Sequence, residues 1–312
     1  MTSAFSPAVT ATAPAKINLI LRVGAPDESG YHPLVTVFQA VDLWDEVAIV
    51  SADADSLVIE GAGNLSGVPT DRTNIVWKAV DALAHVRGLR EPLAITITKT
   101  IPVAGGMAGG SADAAATLVA LNELWQVGLT SPQILDMAAT LGADVPFSLL
   151  GGTALGEGRG DLLTPLIRQQ PLHLVVVTAP LELSTPRVYK TLDDLRAEGQ
   201  GTLTPLSSSE LDVVIGDDVG ELIGVLSNDL QPAALKMAPI VQKNLDVLSE
   251  AGALAHLVSG SGPTVFGLCV DATHVADVAN FLLQRGFSAT PTTSTPLGAR
   301  LTSSLSSARE AH

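Results

Sequence analysis

The sequence holds a single cysteine, Cys269, few aromatic residues (4%), and 17 lysines and arginines against 32 aspartates and glutamates. One thiol excludes an internal disulfide and any cysteine-rich metal centre, and it fits a reducing compartment. Its ordinary place is as a small core hydrophobe. The formal net charge of −15 leaves no broad basic surface to neutralise a nucleic-acid backbone or an anionic membrane, so neither is expected as a partner. His85, His173, His256 and His312 show no metal-ligand spacing, so no zinc site is expected. Export and anchoring signals are missing too. The opening MTSAFSPAVTATAPAK lacks the charged start and apolar run of a signal peptide, and no 18-residue apolar stretch is free of charge or helix breakers. The expected location is the cytoplasm.

What is present suits a compact protein. At 312 residues, 46% apolar and 16% charged, the chain can bury a large core in one big domain or two lobes. The pattern over residues 15–60 is strand-like, with β-branched runs at 17–23, 35–41 and 46–50 between turn clusters. Helical spacing follows at 74–87, ended by Gly88, then an alternating strand at 93–101 and an alanine-rich helix at 112–125. Ser131 and Pro132 read as N-cap and first residue of a helix over 133–141, with Gly142 closing it at C′. Beyond come strands at 153–155 and 172–179, and a polar, loop-rich stretch at 193–220. Helices are expected at 221–228, 239–251 and 273–285, and strands at 255–258 and 264–270. This is an α+β protein whose lobe boundary is expected near residue 165, giving an N-terminal domain over 1–165 and a C-terminal one over 166–290. The Ser-, Thr- and Pro-rich tail, 291–312, is expected to be flexible.

The most informative segment is Pro102, Val103, Ala104, Gly105, Gly106, Met107, Ala108, Gly109, Gly110, Ser111 and Ala112, which runs from a strand into a helix. Glycine lets backbone N–H groups crowd an anion and the following helix adds its positive end, so the segment suits phosphate. It lacks the lysine of a Walker loop. A dinucleotide fold is poorly supported as well, since two helices follow with no strand between them. Taken alone, a glycine cluster can also serve close packing. Lys16 sits between Ala15 and Ile17 in an apolar strand, where an unpaired ammonium is costly, so a charged partner is expected for it. Asp113, near the start of the same helix, reads as a helix-terminus acid.

Three segments together resemble the motifs of the GHMP kinases. These are Pro14-Ala-Lys-Ile-Asn-Leu19, the glycine run with Ser111, and Leu257-Val-Ser-Gly-Ser-Gly-Pro-Thr-Val-Phe266. Within that superfamily, Gly30-Tyr-His-Pro-Leu34, Gly142-Ala-Asp-Val-Pro146 and Ser184-Thr-Pro-Arg-Val-Tyr189 resemble the branch that phosphorylates the 2-hydroxyl of 4-diphosphocytidyl-2-C-methyl-D-erythritol with ATP and Mg²⁺, in the non-mevalonate route to isoprenoid precursors. The resemblance spans about residues 13–290 and implies a two-lobed fold, a ribosomal protein S5 domain 2-like N-terminal lobe with an α/β-sandwich C-terminal lobe. A homologue acting on mevalonate, homoserine or a sugar, and a nucleotide-binding protein without catalysis, are the competing expectations. A monomer or homodimer is expected.

The resemblance also implies roles for particular side chains. Asp144 is the candidate base for the substrate hydroxyl and Lys16 the group that orients it; from the residues alone, Asp144 is a loop acid capping the next element. Ser111 is a candidate Mg²⁺ ligand, or simply a helix cap. Tyr31 and Tyr189 match aromatics that stack on cytosine, His32 a residue that reads its edge, and Asn18, Thr185 and Pro186 further substrate contacts. Asn74 and Lys99 match positions near adenine. Ser259, Gly260, Ser261 and Gly262 match the turn that supports the phosphate site. The chain departs from the usual GLGGGSSNAA form at Met107, Ala108, Ala112 and Asp113.

Overall fold

The computed structural model describes residues 8–28, 30–61, 65–103, 105–199 and 205–303. Ala104 of the glycine segment and residues 304–312 of the tail lie outside them.

Strands β1 (Val9–Val23) and β2 (Leu34–Ser51) pair antiparallel along their length. The strands expected at 35–41 and 46–50 are therefore one. The polar break at Asp42-Leu43 is a bulge, where the ladder passes from Val41 opposite Ala15 to Trp44 opposite Pro14. Pro14 has no N–H to give a ladder, and a bulge is where a strand tolerates that loss. A second register shift falls between Asn18 and Ile20, close to Lys16; extra residues of this kind re-aim side chains beside functional clefts. Strand β3 (Ser56–Gly61) runs parallel to β4 (Leu93–Lys99), which pairs with β2.

Helix α1 (Ile75–Arg87) lies between β3 and β4 in sequence. Asn74 caps it by accepting the Val76 N–H, and Gly88 ends it at φ 73°. Helix α2 (Gly109–Leu124) starts earlier than its apolar run, because the glycines already have helical backbone. It is apolar around nearly its whole circumference, and Ala112, Ala114, Ala115, Ala116 and Ala120 let it lie close on the sheet with no exposure. Helix α3 (Ser131–Leu141) is capped by Thr130 rather than Ser131, since Thr130 and Gln133 form a reciprocal capping box. Gly142 closes it in extended backbone, φ 176°, and not in the left-handed turn expected of a C′ glycine. One short helix, α4 (Val145–Leu150), begins directly after Asp144. Strands β5 (Thr153–Gly158) and β6 (Leu162–Leu166) branch off β2.

The second lobe is built on β7 (His173–Thr178). Its Leu174 and Val176 enter the first core while Val175 and Val177 enter a second, so both faces are covered and the strand reads as a continuous apolar run. Among its described residues, the stretch at 193–220, expected to be loop-rich, is mostly helical. It holds the end of α5 (Thr185–Ala197), then α6 (Ser208–Ile215) and the start of α7 (Val219–Val225). The serines and acids that suggested loops are caps here: Ser207 with Glu210, and Asp218 on the N–H groups of Gly220 and Glu221. The helix expected at 221–228 stops at Val225, and β8 (Ser227–Asn228) pairs parallel with β1. Then follow α8 (Gln231–Met237), α9 (Pro239–Glu250), β9 (Ala255–Val258), β10 (Val265–Cys269) and α10 (Ala272–Gln284). Cys269 is a buried free thiol, whose pKa burial pushes up to about 11.

The tail expected to be flexible from residue 291 is ordered as far as it is described. Strand β11 (Ser288–Thr293) pairs with β7 as the edge of a four-stranded sheet, β11-β7-β10-β9, a position that admits Pro291. Strand β12 (Arg300–Ser303) pairs with β1 in the larger sheet, β12-β1-β2-β4-β3. Its Ser and Thr content suggested a linker; threonine is equally at home in a strand. Among the described residues, no helix is long and apolar enough to cross a membrane.

Candidate functional site

The site forms where β1, the glycine segment and the turn after β9 converge. The backbone N–H of Lys16 donates to the Met107 carbonyl at 3.1 Å, fastening the glycine segment to β1. The Ser259 hydroxyl donates to the Gly106 carbonyl at 3.1 Å, and the Gly262 N–H closes the turn on the Ser259 carbonyl at 2.9 Å. Asn228, on β8, donates to the carbonyls of Val258 and Gly260, 2.8 Å each, and so holds that turn from behind. Gly106 has φ +73°, and a Cβ there would stand 2.4 Å from the Ser259 carbonyl oxygen. Gly106→Ala is therefore expected to cost about 1–3 kcal/mol from backbone strain alone. A urea titration measures it, and unchanged stability would mean that the two turns are not packed this tightly.

Ala108 occupies the N-cap of α2 with φ 60°, a left-handed conformation that glycine adopts more readily. Met107 and Ala112 are fully buried, so any phosphate contact from either comes from backbone alone. Gly109 and Gly110, the first residues of α2, line a cavity of about 250 Å³ together with Asn74, Pro102 and Val103. Asn74 is fully engaged there, accepting from Val76 at 3.0 Å and donating to the Pro69 carbonyl at 2.7 Å.

Lys16 is buried, and its ammonium donates to Asn18 Oδ1 at 2.9 Å while standing 3.7 Å from Asp144 Oδ2. Asn18 in turn donates to the Thr36 hydroxyl at 2.8 Å, which donates to the Ile20 carbonyl at 2.7 Å. With both ends of its amide engaged, Asn18 holds Lys16. Asp144 makes no capping bond at α4, and its side chain is 33% exposed to the cleft. The charged partner expected for Lys16 is thus the acid far along the chain.

On the other side of Asp144 lies a cleft of about 610 Å³ whose walls include Tyr31, His32, Ser111, Pro186 and Tyr189. Helix α5 supplies Thr185, Pro186 and Tyr189, anchored on β1 through Val188, Leu192 and Leu195 against Leu21 and Val23. The Thr185 and Ser261 hydroxyls meet at 3.0 Å, tying α5 to the turn after β9. His32 is buried, its Nε2 is 2.9 Å from Asp193 Oδ1, and its ring centroid is 5.1 Å from that of Tyr189. Burial pushes the Tyr189 and Tyr31 hydroxyls up from their ordinary values. Ser111 faces this cleft with Asp144, whereas Gly109 and Gly110 face the smaller cavity.

Lys99 borders the same smaller cavity as Asn74, Gly109 and Gly110. It is buried and bonds to Asp45 and, at 2.7 Å, to Asp113. Asp45 Oδ1 also accepts the N–H groups of Thr100 at 2.7 Å and Ile101 at 2.9 Å. Asp113 is accordingly not a solvated helix-terminus acid but the second carboxylate of a buried triad. Burial raises its pKa to about 8, against the lowering effect of Lys99 and with the help of Asp45. Burial lowers Lys99, but the two carboxylates more than offset it and the net shift is upward.

The sequence reading missed Arg159 and Asp193. Arg159, on the turn between β5 and β6, borders the cleft at Tyr31, pairs with Asp161 at 2.6 Å and donates to the Ala139 carbonyl at 3.1 Å. It sits in Gly158-Arg159-Gly160-Asp161, which reads locally as a hairpin turn and nothing more.

Comparison with known proteins agrees with this layout. The GHMP kinases N terminal domain matches residues 74–152 and the GHMP kinases C terminal domain residues 216–289. A 4-diphosphocytidyl-2-C-methyl-D-erythritol kinase of Mycolicibacterium gilvum (strain PYR-GCK) is 48% identical over 283 residues, covering 89% of this chain and 87% of its own. The protein of the same name from Nocardia farcinica (strain IFM 10152) is 48% identical over 278 residues, covering 89% and 90%. A crystal structure of a 4-(cytidine 5'-diphospho)-2C-methyl-D-erythritol kinase superposes with a TM-score of 0.74 at 30% identity, over 91% of this chain and 98% of that one.

Proposed function

This chain belongs to the 4-diphosphocytidyl-2-C-methyl-D-erythritol kinase family of GHMP kinases, and on that premise we propose that it transfers the γ-phosphoryl group of ATP to the 2-hydroxyl of 4-diphosphocytidyl-2-C-methyl-D-erythritol, giving the 2-phosphate and ADP. The observation that carries the reading is the Lys16–Asp144 pair, 3.7 Å apart, between a glycine nest on one side and an aromatic cleft on the other.

Phosphoryl transfer needs the acceptor and the γ-phosphorus in line and the developing charge neutralised. The backbone N–H groups from Gly105 to Ser111 and the positive end of α2 hold the phosphates. Asp144 accepts the proton of the substrate hydroxyl. Lys16, fixed by Asn18, keeps that carboxylate aimed and stabilises the negative charge that develops beside it. The cytosine lies between Tyr31 and Tyr189, and His32, oriented by Asp193, reads its edge. Among the described residues no group of His, Cys, Asp and Glu is arranged to hold a metal. Ser111, in the wall of the cleft beside Asp144, would supply a protein oxygen to Mg²⁺ carried by the phosphates. When bound, Mg²⁺ neutralises charge on the β- and γ-phosphates. The single buried thiol and the acidic composition support a cytoplasmic enzyme.

A coupled assay for ADP release with ATP and a panel of acceptors tests the function. Turnover is expected with the cytidyl substrate and at most about a hundredth of that rate with mevalonate, homoserine or galactose, because the polar groups of the aromatic cleft are then left unpaired. Nucleotide binding with no ADP released from any acceptor would sink it.

A further inference from the structure

Glu182 lies on the connection between β7 and α5, in the second lobe, yet it borders the cavity that Gly109, Gly110 and Asn74 line in the first. It reaches across because residue 67 is glycine: its Oε1 stands 2.7 Å from where a Cβ at Gly67 would be, with Val103 Cγ1 at 3.9 Å from the same point. Of the other polar side chains around that cavity, Asn74, Thr73 and Lys99 are engaged, and Asp113 is buried with only its Oδ2 bonded, to Lys99. Asn74 bonds to Pro69 and Val76, Thr73 to Asp71, and Lys99 to Asp45 and Asp113. Among the described residues Glu182 has no hydrogen-bond or ion-pair partner, and it is exposed.

An ionised carboxylate is an acceptor only, so it can be satisfied by donors alone. It cannot sit beside the polyphosphate, whose charge it would repel. The phosphates belong where the N–H groups of Gly109 and Gly110 converge, which leaves Glu182 to the nucleoside. The base has flat apolar faces that suit Val68, Pro69 and Ile75, also in the wall of this cavity. The ribose joins base to phosphates and presents two adjacent hydroxyl donors at the open rim. We propose that Glu182 accepts hydrogen bonds from the ribose 2′- and 3′-hydroxyls of ATP and so makes this enzyme selective for ribonucleoside over deoxyribonucleoside triphosphates. This rests on the kinase reading above and adds a nucleotide contact supplied by the second lobe.

The test measures kcat/KM with ATP, 2′-deoxy-ATP, 3′-deoxy-ATP and purine riboside triphosphate in the parent, Glu182→Ala, Glu182→Gln and Gly67→Ala. The parent is expected to favour ATP over either deoxy analogue by about tenfold, the factor carried by one hydrogen bond to a charged group. In Glu182→Ala the KM for ATP rises about tenfold and the preference shrinks to within about twofold, while Glu182→Gln retains part of it. Gly67→Ala does the same while leaving Glu182 itself unaltered, because its methyl would stand 2.7 Å from Oε1 and displace that flexible side-chain end. An unchanged ATP to deoxy-ATP ratio in Glu182→Ala overturns the proposal. So does a loss of discrimination confined to purine riboside triphosphate, which would place Glu182 on the base amine. No ADP from ATP in the parent overturns the kinase reading itself, a result separate from either.

Discussion

Asp144→Asn is expected to lower kcat by about 10²–10⁴, with the KM for ATP changed little. The amide fills the same space and can still bond, but it cannot take up a proton. Asp144 makes no capping bond, and Lys16 keeps its bond to Asn18, so the variant should fold as the parent does. The loss then belongs to the chemical step rather than to nucleotide binding, which the proposed mechanism assigns to the glycine segment and α2. Steady-state kinetics and a nucleotide-binding titration on the same preparation separate the two. A variant with full turnover would show that solvent takes the proton unaided and that the pair only positions the substrate.

Lys99→Met should be among the most destabilising single changes available, at about 3–5 kcal/mol. The substitution removes the one cation between Asp45, fully buried, and Asp113, nearly so, and leaves two carboxylates facing each other out of water. Asp45 is still served by two backbone N–H groups, whereas Asp113 Oδ1 has no partner even in the parent. The proton therefore belongs on Asp113. Its pKa, about 8 in the fold, lies far above the ordinary carboxylate value of about 3.9. Between those values the folded protein holds a proton that the unfolded chain has released, so stability falls as pH rises through that window. Asp113→Asn should lack this decline, because an amide needs no proton to remain neutral. Urea unfolding of the parent and both variants at pH 5, 7 and 9 checks the pair of expectations. A Lys99→Met protein as stable as the parent would mean that the triad is open to water.

Local chemistry made much of the fold legible. The apolar stripe of α1 with Asn74 before it and Gly88 after it, and the apolar run of β7, announce themselves within a dozen residues. The site was legible to the extent that its parts are short segments, namely the strand around Lys16, the glycine run and the turn at Ser259 to Gly262. Pairings set by tertiary packing were not. Nothing in the sequence joins Lys99 to Asp45, 54 positions away, or marks Asp113 as its partner rather than a surface acid. Arg159 and Glu182 stand on connections whose local pattern signals only a turn, and their place at the cavities comes from which strands neighbour which. The tail misled for a compositional reason, since serine, threonine and proline serve equally in a linker and in an edge strand.

The route of the backbone between the lobes bears on how ligands come and go. The chain leaves the larger sheet after β6, returns to lay β8 on β1, and crosses once more between β11 in the smaller sheet and β12 on the far edge of β1. Here, swinging the lobes apart would strip ladder bonds from β1 itself, the strand that carries Lys16. Any opening of the cleft at that end is therefore tied to pairs on the very strand that carries the ammonium.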